Sequence, residues 1–200
     1  MAGLDEAGRG PLAGPVVAGC VVLPADCAYH RFRDSKKLSP AARTDLFAEL
    51  HANGAAIGFA VVSVEEIDRV NILRASLLAM ARAVAHLAAE NGRHPDYLLV
   101  DGTFSPPVNL PQKTLVKGES KSASIAAASI IAKVVRDRLM AEYHAQFPEY
   151  NFLRNKGYPT EDHRQAIARF GPCAIHRRTF KGVREFLVGA APAPRQQELW

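Results

Sequence analysis

Two hundred residues, 48% of them hydrophobic, are enough for one folded domain with a real core and exclude a disordered chain. A formal net charge of +5 favours a polyanionic partner without identifying one. Cys20, Cys27 and Cys173 are scattered and odd in number, which argues against a disulfide framework or a thiolate zinc site. No basic-then-apolar leader or bilayer-spanning apolar run is visible, so a cytoplasmic protein with no membrane partner is expected.

The chain opens on Gly3-Leu4-Asp5-Glu6, an apolar stretch ending in two carboxylates, and turns at Gly8-Arg9-Gly10. Residues 16–23 are rich in β-branched side chains and stop at Pro24, so they are expected to pair with the opening strand. Pro11 and Pro15, with Gly8, Gly10 and Gly14, make the connection a hairpin region rather than a helix. Ser39 as N-cap and Pro40 at the first helical position predict a helix through Leu50. Residues 55–64 alternate as a third strand. Residues 65–90 carry Ile67, Val70, Leu73, Leu77, Met80, Val84 and Leu87 at helical spacing, with a break marked by Asn71 and a stop at Gly92 and Pro95.

Residues 97–100 form a short apolar strand ending at Asp101, and residues 113–116 another ending near Glu119. Residues 122–147 are expected to be a long helix whose alanine-rich early turns pack closely on the sheet. A last helix runs from Thr160 to Phe170, where Gly171-Pro172 stops it. Strands first, then strand and helix in alternation, predict an α/β domain with a mixed sheet flanked by helices. Residues 1–188 are expected to form it, and residues 189–200, with linker composition at their start, a flexible tail.

Asp5, Asp101 and Glu119 each lie where a strand is ending, the place where ligands gather in α/β sheets. With Glu6 they make four carboxylates that would repel one another unless cations bind between them. Carboxylate oxygens are natural ligands of Mg²⁺ and Mn²⁺. The glycines around Arg9 let backbone approach a ligand closely while the guanidinium covers a phosphate or sugar edge. Taken alone, Asp101-Gly102 is an ordinary turn dipeptide, and Asp137 between Arg136 and Arg138 reads as a local ion pair on a helix. Cys20 and Cys173 read as small core residues.

Ordered blocks between residue 3 and about residue 180 carry a family resemblance. They are the opening run through Pro15, Asp34-Ser35-Lys36-Lys37-Leu38-Ser39, and Leu99-Val100-Asp101-Gly102. Lys117-Gly118-Glu119-Ser120-Lys121-Ser122 follows, continuing through Ser129 and Lys133 to Arg136-Asp137. Lys156-Gly157-Tyr158 and His176-Arg177-Arg178-Thr179-Phe180 come last. Together they resemble bacterial ribonuclease HII, the type 2 ribonuclease H. The resemblance implies a ribonuclease H-like fold with a small C-terminal helical extension. It implies an endoribonuclease that cuts the RNA strand of RNA/DNA hybrids, and duplex DNA on the 5′ side of an embedded ribonucleotide, with two Mg²⁺ or Mn²⁺ ions at Asp5, Glu6, Asp101 and Glu119. Gly8, Arg9 and Gly10 are implied to approach the ribose 2′-hydroxyl, which distinguishes RNA from DNA. Tyr158 is implied to stack on the next deoxyribose, and Lys36, Lys37 and Lys121 to contact phosphates.

One position departs from the family pattern: Glu119 stands where an aspartate is usual. Its longer side chain could reach a metal, act through a water or cap the following helix. His176, Arg177 and Arg178 form a basic patch, either structural or in weak backbone contact. The first carboxylate is residue 5, which leaves no room for the N-terminal substrate-binding domain of the related ribonuclease HIII. A non-catalytic nucleic-acid-binding module of the same fold is the alternative; a hydrolase of small phosphate esters is argued against by the basic charge. Finally, Gln196-Gln197-Glu198-Leu199-Trp200 resembles the bacterial sliding-clamp-binding motif, against the alternatives of a disordered end or a tail packed on its own domain.

Overall fold

Strand β1 (Ala2–Ala7) lies in the middle of a five-stranded sheet with the order β3-β2-β1-β4-β5. The computed structural model describes residues 1–32, 38–92 and 94–187. β2 (Val16–Val22) and β3 (Ala56–Val62) continue from β1 as an antiparallel meander, with Asp5 opposite Gly19 and Cys20 opposite Gly58. On the other side β4 (Leu98–Asp101) runs parallel to β1, and β5 (Gln112–Leu115) parallel to β4. The sheet is mixed, as the strand-then-alternation pattern predicts.

The period-2 alternation of these strands sorts their side chains onto two covered faces. Ala2, Leu4, Cys20, Leu98 and Val100 share a core with Ala79, Ala83 and Leu87 of helix α3 (Ile72–Asn91). Val21 and Ile57 pack with Ala127, Ala128 and Ile131 of α4 (Ala123–Gln146) on the opposite face. Gly3 explains how closely α4 approaches: a Cβ there would lie 2.1 Å from the Ser124 carbonyl carbon, so only glycine fits. The alanines of the early α4 turns serve the same close approach from the helix side.

Capping sets the helix boundaries. Ser39 Oγ accepts the Ala42 N–H at the head of α1 (Pro40–Ala52), with Pro40 in the first turn. Ser63 caps α2 (Val64–Val70). Asn71, with φ of 72°, breaks the helical run where expected: its N–H closes α2 on Ile67, and its side chain accepts the Arg74 N–H of α3. By length and composition α3 would be apolar enough to cross a membrane, but its buried residues lie against the sheet.

Beyond α4 the chain builds a smaller unit. A 3₁₀ turn (Pro148–Tyr150), α5 (Phe152–Asn155) and α6 (Glu161–Phe170) pack around Tyr150, Phe152, Ile167, Ile175 and Val183. Leu12 and Ala13 from the β1–β2 connection join that core. The four-residue α5 is too short to leave a periodic signal in the sequence.

Candidate active site

Asp5 and Asp101 occupy equivalent positions on neighbouring parallel strands. The last registered pair of β1 and β4 is Leu4 with Val100, and each aspartate is the next residue. Leu4 and Val100 point into the α3 core, so the aspartates turn to the α4 face. Asp5 is 5% exposed. Its carboxyl is held well above the usual carboxylate range, first by burial and then by the charges of Glu6 and Asp101. The Glu6 N–H and the Ser129 hydroxyl oppose that shift. Burial raises Glu6 as well, against the pull of Arg9.

Local donors hold each carboxylate. Asp5 Oδ1 accepts the Glu6 N–H at 2.7 Å, Asp101 Oδ1 accepts the Gly118 N–H at 2.6 Å, and Glu6 Oε1 faces Arg9 Nη1 at 3.3 Å. Glu119 lies on the 3₁₀ turn Gly118–Ser120, next to the glycine that binds Asp101. Ser122 takes the N-cap position of α4, with its Oγ accepting the Ile125 N–H. Among the described residues no three His, Cys, Asp or Glu side chains are close enough to form a metal site as they stand. The donor set is nonetheless all hard oxygen, and Asp5 is a buried acid pressed by two others. Such a group fits a divalent cation, whose charge would relieve the repulsion and let the carboxylates ionise together.

The 8–15 loop, which contains Gly8, Arg9 and Gly10, is fixed by two buried arginines. Arg177, 0% exposed, donates from Nε to the Gly14 carbonyl at 3.0 Å. It also donates from Nη1 to Arg9 at 3.0 Å and Pro11 at 2.8 Å, and from Nη2 to Gly8 and Gly14. Arg136, 1% exposed, donates to the carbonyls of Pro15, Ala13 and Lys156. Burial, and then the neighbouring Arg136, lower Arg177 to about 9. Gly8 has a φ of 104°, and a Cβ there would lie 2.3 Å from Arg136 Nε, so both backbone and space demand glycine. Asp68 of α2 anchors the segment carrying Arg177, accepting the Arg178 and Thr179 N–H groups at 2.8 and 3.0 Å.

These arginines bear on two expectations. The His176–Arg178 patch resolves into a structural role for Arg177, which the residue types alone do not reveal. Asp137 forms the expected local ion pair, with Lys133 one turn back at 2.7 Å, while Arg136 points into the loop.

A cavity of about 380 Å³ brings together Glu6, Gly8, Arg9, Gly10 and Tyr158, with Ala7, Arg43, Ser129 and Lys133 completing its lining. Tyr158 is 43% exposed, and a Cβ on Gly10 would lie 3.6 Å from its ring. Lys121 stands elsewhere, in a second concavity at the head of α4 with Tyr29 and Leu99. Lys36 and Lys37, like Gln196 through Trp200, lie outside the described residues. Ser129 and Lys133 were visible only as part of a motif; their i, i+4 spacing on α4 is the signal that they share a face.

Comparison with known proteins places this geometry. Residues 2–183 match the family described as Ribonuclease HII. A ribonuclease HII from Desulfotalea psychrophila is 57% identical over 187 residues, covering 94% of this chain and 83% of that protein. Among solved structures, the ribonuclease H2 of Pyrococcus horikoshii superimposes with a TM-score of 0.73 at 27% identity, covering 92% of this chain and 95% of the other. A PCNA:RNase HII complex from Archaeoglobus fulgidus contains a chain similar at a TM-score of 0.72 and 26% identity, covering 90% of this chain and 94% of that one. The matched span runs from β1 past α6, and the chain belongs to the ribonuclease HII family, metal-dependent nucleases that cleave RNA/DNA hybrids and ribonucleotides embedded in DNA.

Proposed function

We propose that Asp5, Glu6, Asp101 and Glu119 hold two divalent ions, Mg²⁺ or Mn²⁺, and that cleavage falls on the 5′ side of the ribonucleotide. The observation that carries this reading is the register of Asp5 and Asp101, side by side on parallel strands, with Asp5 buried and pressed by Glu6. Bound there, divalent ions supply an activated water and charge for the leaving oxygen. The protein's own part is placement: Asp101 and Gly118 bring the Glu119 turn to the end of β4, and Ser129 orients Asp5.

Gly8, Arg9, Gly10 and Tyr158 face one cavity, which supports a backbone reading of the 2′-hydroxyl by the glycine-arginine-glycine turn beside a sugar stacked on Tyr158. Lys133 and Arg43 add positive charge for phosphates along the same wall. Lys121, in its separate concavity, is a more distant phosphate contact. A duplex with one embedded ribonucleotide tests the reading: rapid 5′ cleavage is expected with Mg²⁺ or Mn²⁺ and none with a chelator. Cleavage that survives the chelator would overturn it.

A sliding-clamp contact through Gln196 to Trp200 is supported by the Leu199-Trp200 end after a linker-like stretch, and by the complex formed by the Archaeoglobus relative. A peptide of residues 189–200 is expected to bind a bacterial clamp, and the Leu199→Ala/Trp200→Ala peptide is not. Equal titrations of the two, or no binding by either at about 100 μM, a weak limit for peptide motifs, would remove the idea.

A further inference from the structure

His163 and His176 are 0% and 1% exposed, and neither lines the cavity. Their polar contacts nevertheless form one line. The Cys173 N–H lies 2.9 Å from His176 Nδ1, with Cys173 Sγ 3.1 Å from the same nitrogen. His176 Nε2 is 3.0 Å from His163 Nε2, and His163 Nδ1 is 2.9 Å from the Tyr158 carbonyl oxygen.

The two ends fix the protons. A carbonyl only accepts, so His163 Nδ1 carries hydrogen. A backbone amide only donates, so His176 Nδ1 is bare and the hydrogen of that neutral ring sits on Nε2. That hydrogen points at the lone pair of His163 Nε2. Every bond therefore runs in one direction, from Cys173 to Tyr158, through two neutral rings. An added proton on either ring would set N–H against N–H. Tyr150 and Phe152 wall the pair with aromatic edges, at 4.8 Å from His176 and 5.4 Å from His163. Burial accordingly holds both histidines below their ordinary range.

The line joins the two walls of the cavity. The residues flanking His176 hold the 8–15 loop: the Ile175 carbonyl accepts the Gly14 N–H at 2.8 Å, and the Arg177 N–H donates to Leu12 at 2.9 Å. At the other end, the Tyr158 carbonyl takes His163 Nδ1 and the Thr160 N–H at 2.8 Å, so both its lone pairs are used. We infer that His163 and His176 are positioning residues that set the gap between the Gly8-Arg9-Gly10 turn and the Tyr158 ring. Through that gap they govern the preference for a lone ribonucleotide followed by deoxyribose over a uniform hybrid. The inference rests on the proposed reading of Tyr158.

Two experiments test it. Nitrogen NMR of the whole protein should find hydrogen on Nδ1 of His163 and on Nε2 of His176; any other pair of tautomers overturns the chain. Kinetics should then compare His163→Leu, His176→Asn, Tyr158→Ala and the His163→Leu/Tyr158→Ala double variant below their melting temperatures. His176→Asn keeps an acceptor for the Cys173 N–H but cannot reach His163, so it serves as the milder break. Each histidine variant is expected to lower kcat/KM on the lone-ribonucleotide duplex about tenfold more than on a uniform hybrid, and His163→Leu should add nothing to Tyr158→Ala. Equal losses on both substrates, or additive losses in the double variant, overturn the positioning role. If Tyr158→Ala alone leaves the substrate ratio unchanged, the reading of Tyr158 fails and this inference fails with it.

Discussion

Two walls of the site, one behind the sheet carboxylates and one behind the 8–15 loop, are built on opposite electrostatic terms. On the sheet side, Asp5, Glu6 and Asp101 concentrate negative charge, and Asp5 is raised because burial and its neighbours both oppose ionisation. On the C-terminal side, Arg136 and Arg177 concentrate positive charge just as deeply, but their hydrogen bonds run to backbone carbonyls of the 8–15 loop. The first wall leaves charge for a ligand to neutralise. The second uses its charge internally, to hold one backbone shape. A ligand-demanding wall tolerates neutral substitution in its fold but not in its chemistry, and a self-satisfied wall fails in both.

The sharpest test of that contrast is Asp5→Asn or Asp101→Asn. Each is expected to lower cleavage by about a thousandfold or more, roughly 4 kcal/mol in the barrier. Duplex binding should stay within about threefold, roughly 0.7 kcal/mol. The melting temperature should hold or rise, because a buried repulsion is removed. A fall in stability matching the fall in rate would show that the sheet wall is structural after all. Arg177→Met is the converse. It leaves several loop carbonyls unpaired and should cost on the order of 3 kcal/mol, about 6–12 °C of melting temperature for a chain of this size. Arg177→Lys should not restore it, since one ammonium cannot span the same carbonyls. A melting curve for the lysine variant that overlays the native one would refute the carbonyl-cage reading.

Glu119 sits between the two cases, a carboxylate on a turn that is itself tied to Asp101. Glu119→Asp is expected to keep cleavage within about tenfold, and Glu119→Gln to lose about a hundredfold, roughly 2.7 kcal/mol. Full activity in the glutamine variant would remove Glu119 from the metal set.

The sequence exposes the first wall far better than the second. A carboxylate that closes a short apolar run has no packing role, so Asp5 and Asp101 stand out, although β1 itself continues past Asp5 to Ala7. Ser39-Pro40 is equally readable, since a cap acts within one turn. Arg136 and Arg177 look like surface residues in sequence. What makes them internal are carbonyls more than a hundred positions away, which no local pattern encodes. The local ion pair expected of Asp137 is present, with Lys133 one turn back, while Arg136 is engaged across the fold.

The smallest expected effect comes from the histidine pair, and it separates neutral polar support from charged support on the same wall. His176 falls from an ordinary value of 6.5 to about 4 in the folded protein, chiefly through burial, then through His163. Above pH 6.5 the ring is neutral in both folded and unfolded chains, so its contribution is fully present. As pH falls below 6.5 the unfolded chain takes up the proton first, and stability is lost until the folded ring also titrates near pH 4. Between pH 7 and pH 5 the loss from this ring is roughly 2 kcal/mol, about 4–8 °C in melting temperature. His163 shifts in the same direction and adds to it. Other groups titrate in this window, so the useful quantity is the difference between the native protein and His176→Asn. That difference should be largest at pH 7 and shrink by about 2 kcal/mol at pH 5, because the asparagine has no proton to gain. Parallel stability curves across this range would mean that His176 is charged or solvated in the folded protein, and the C-terminal wall would then rest on its arginines alone.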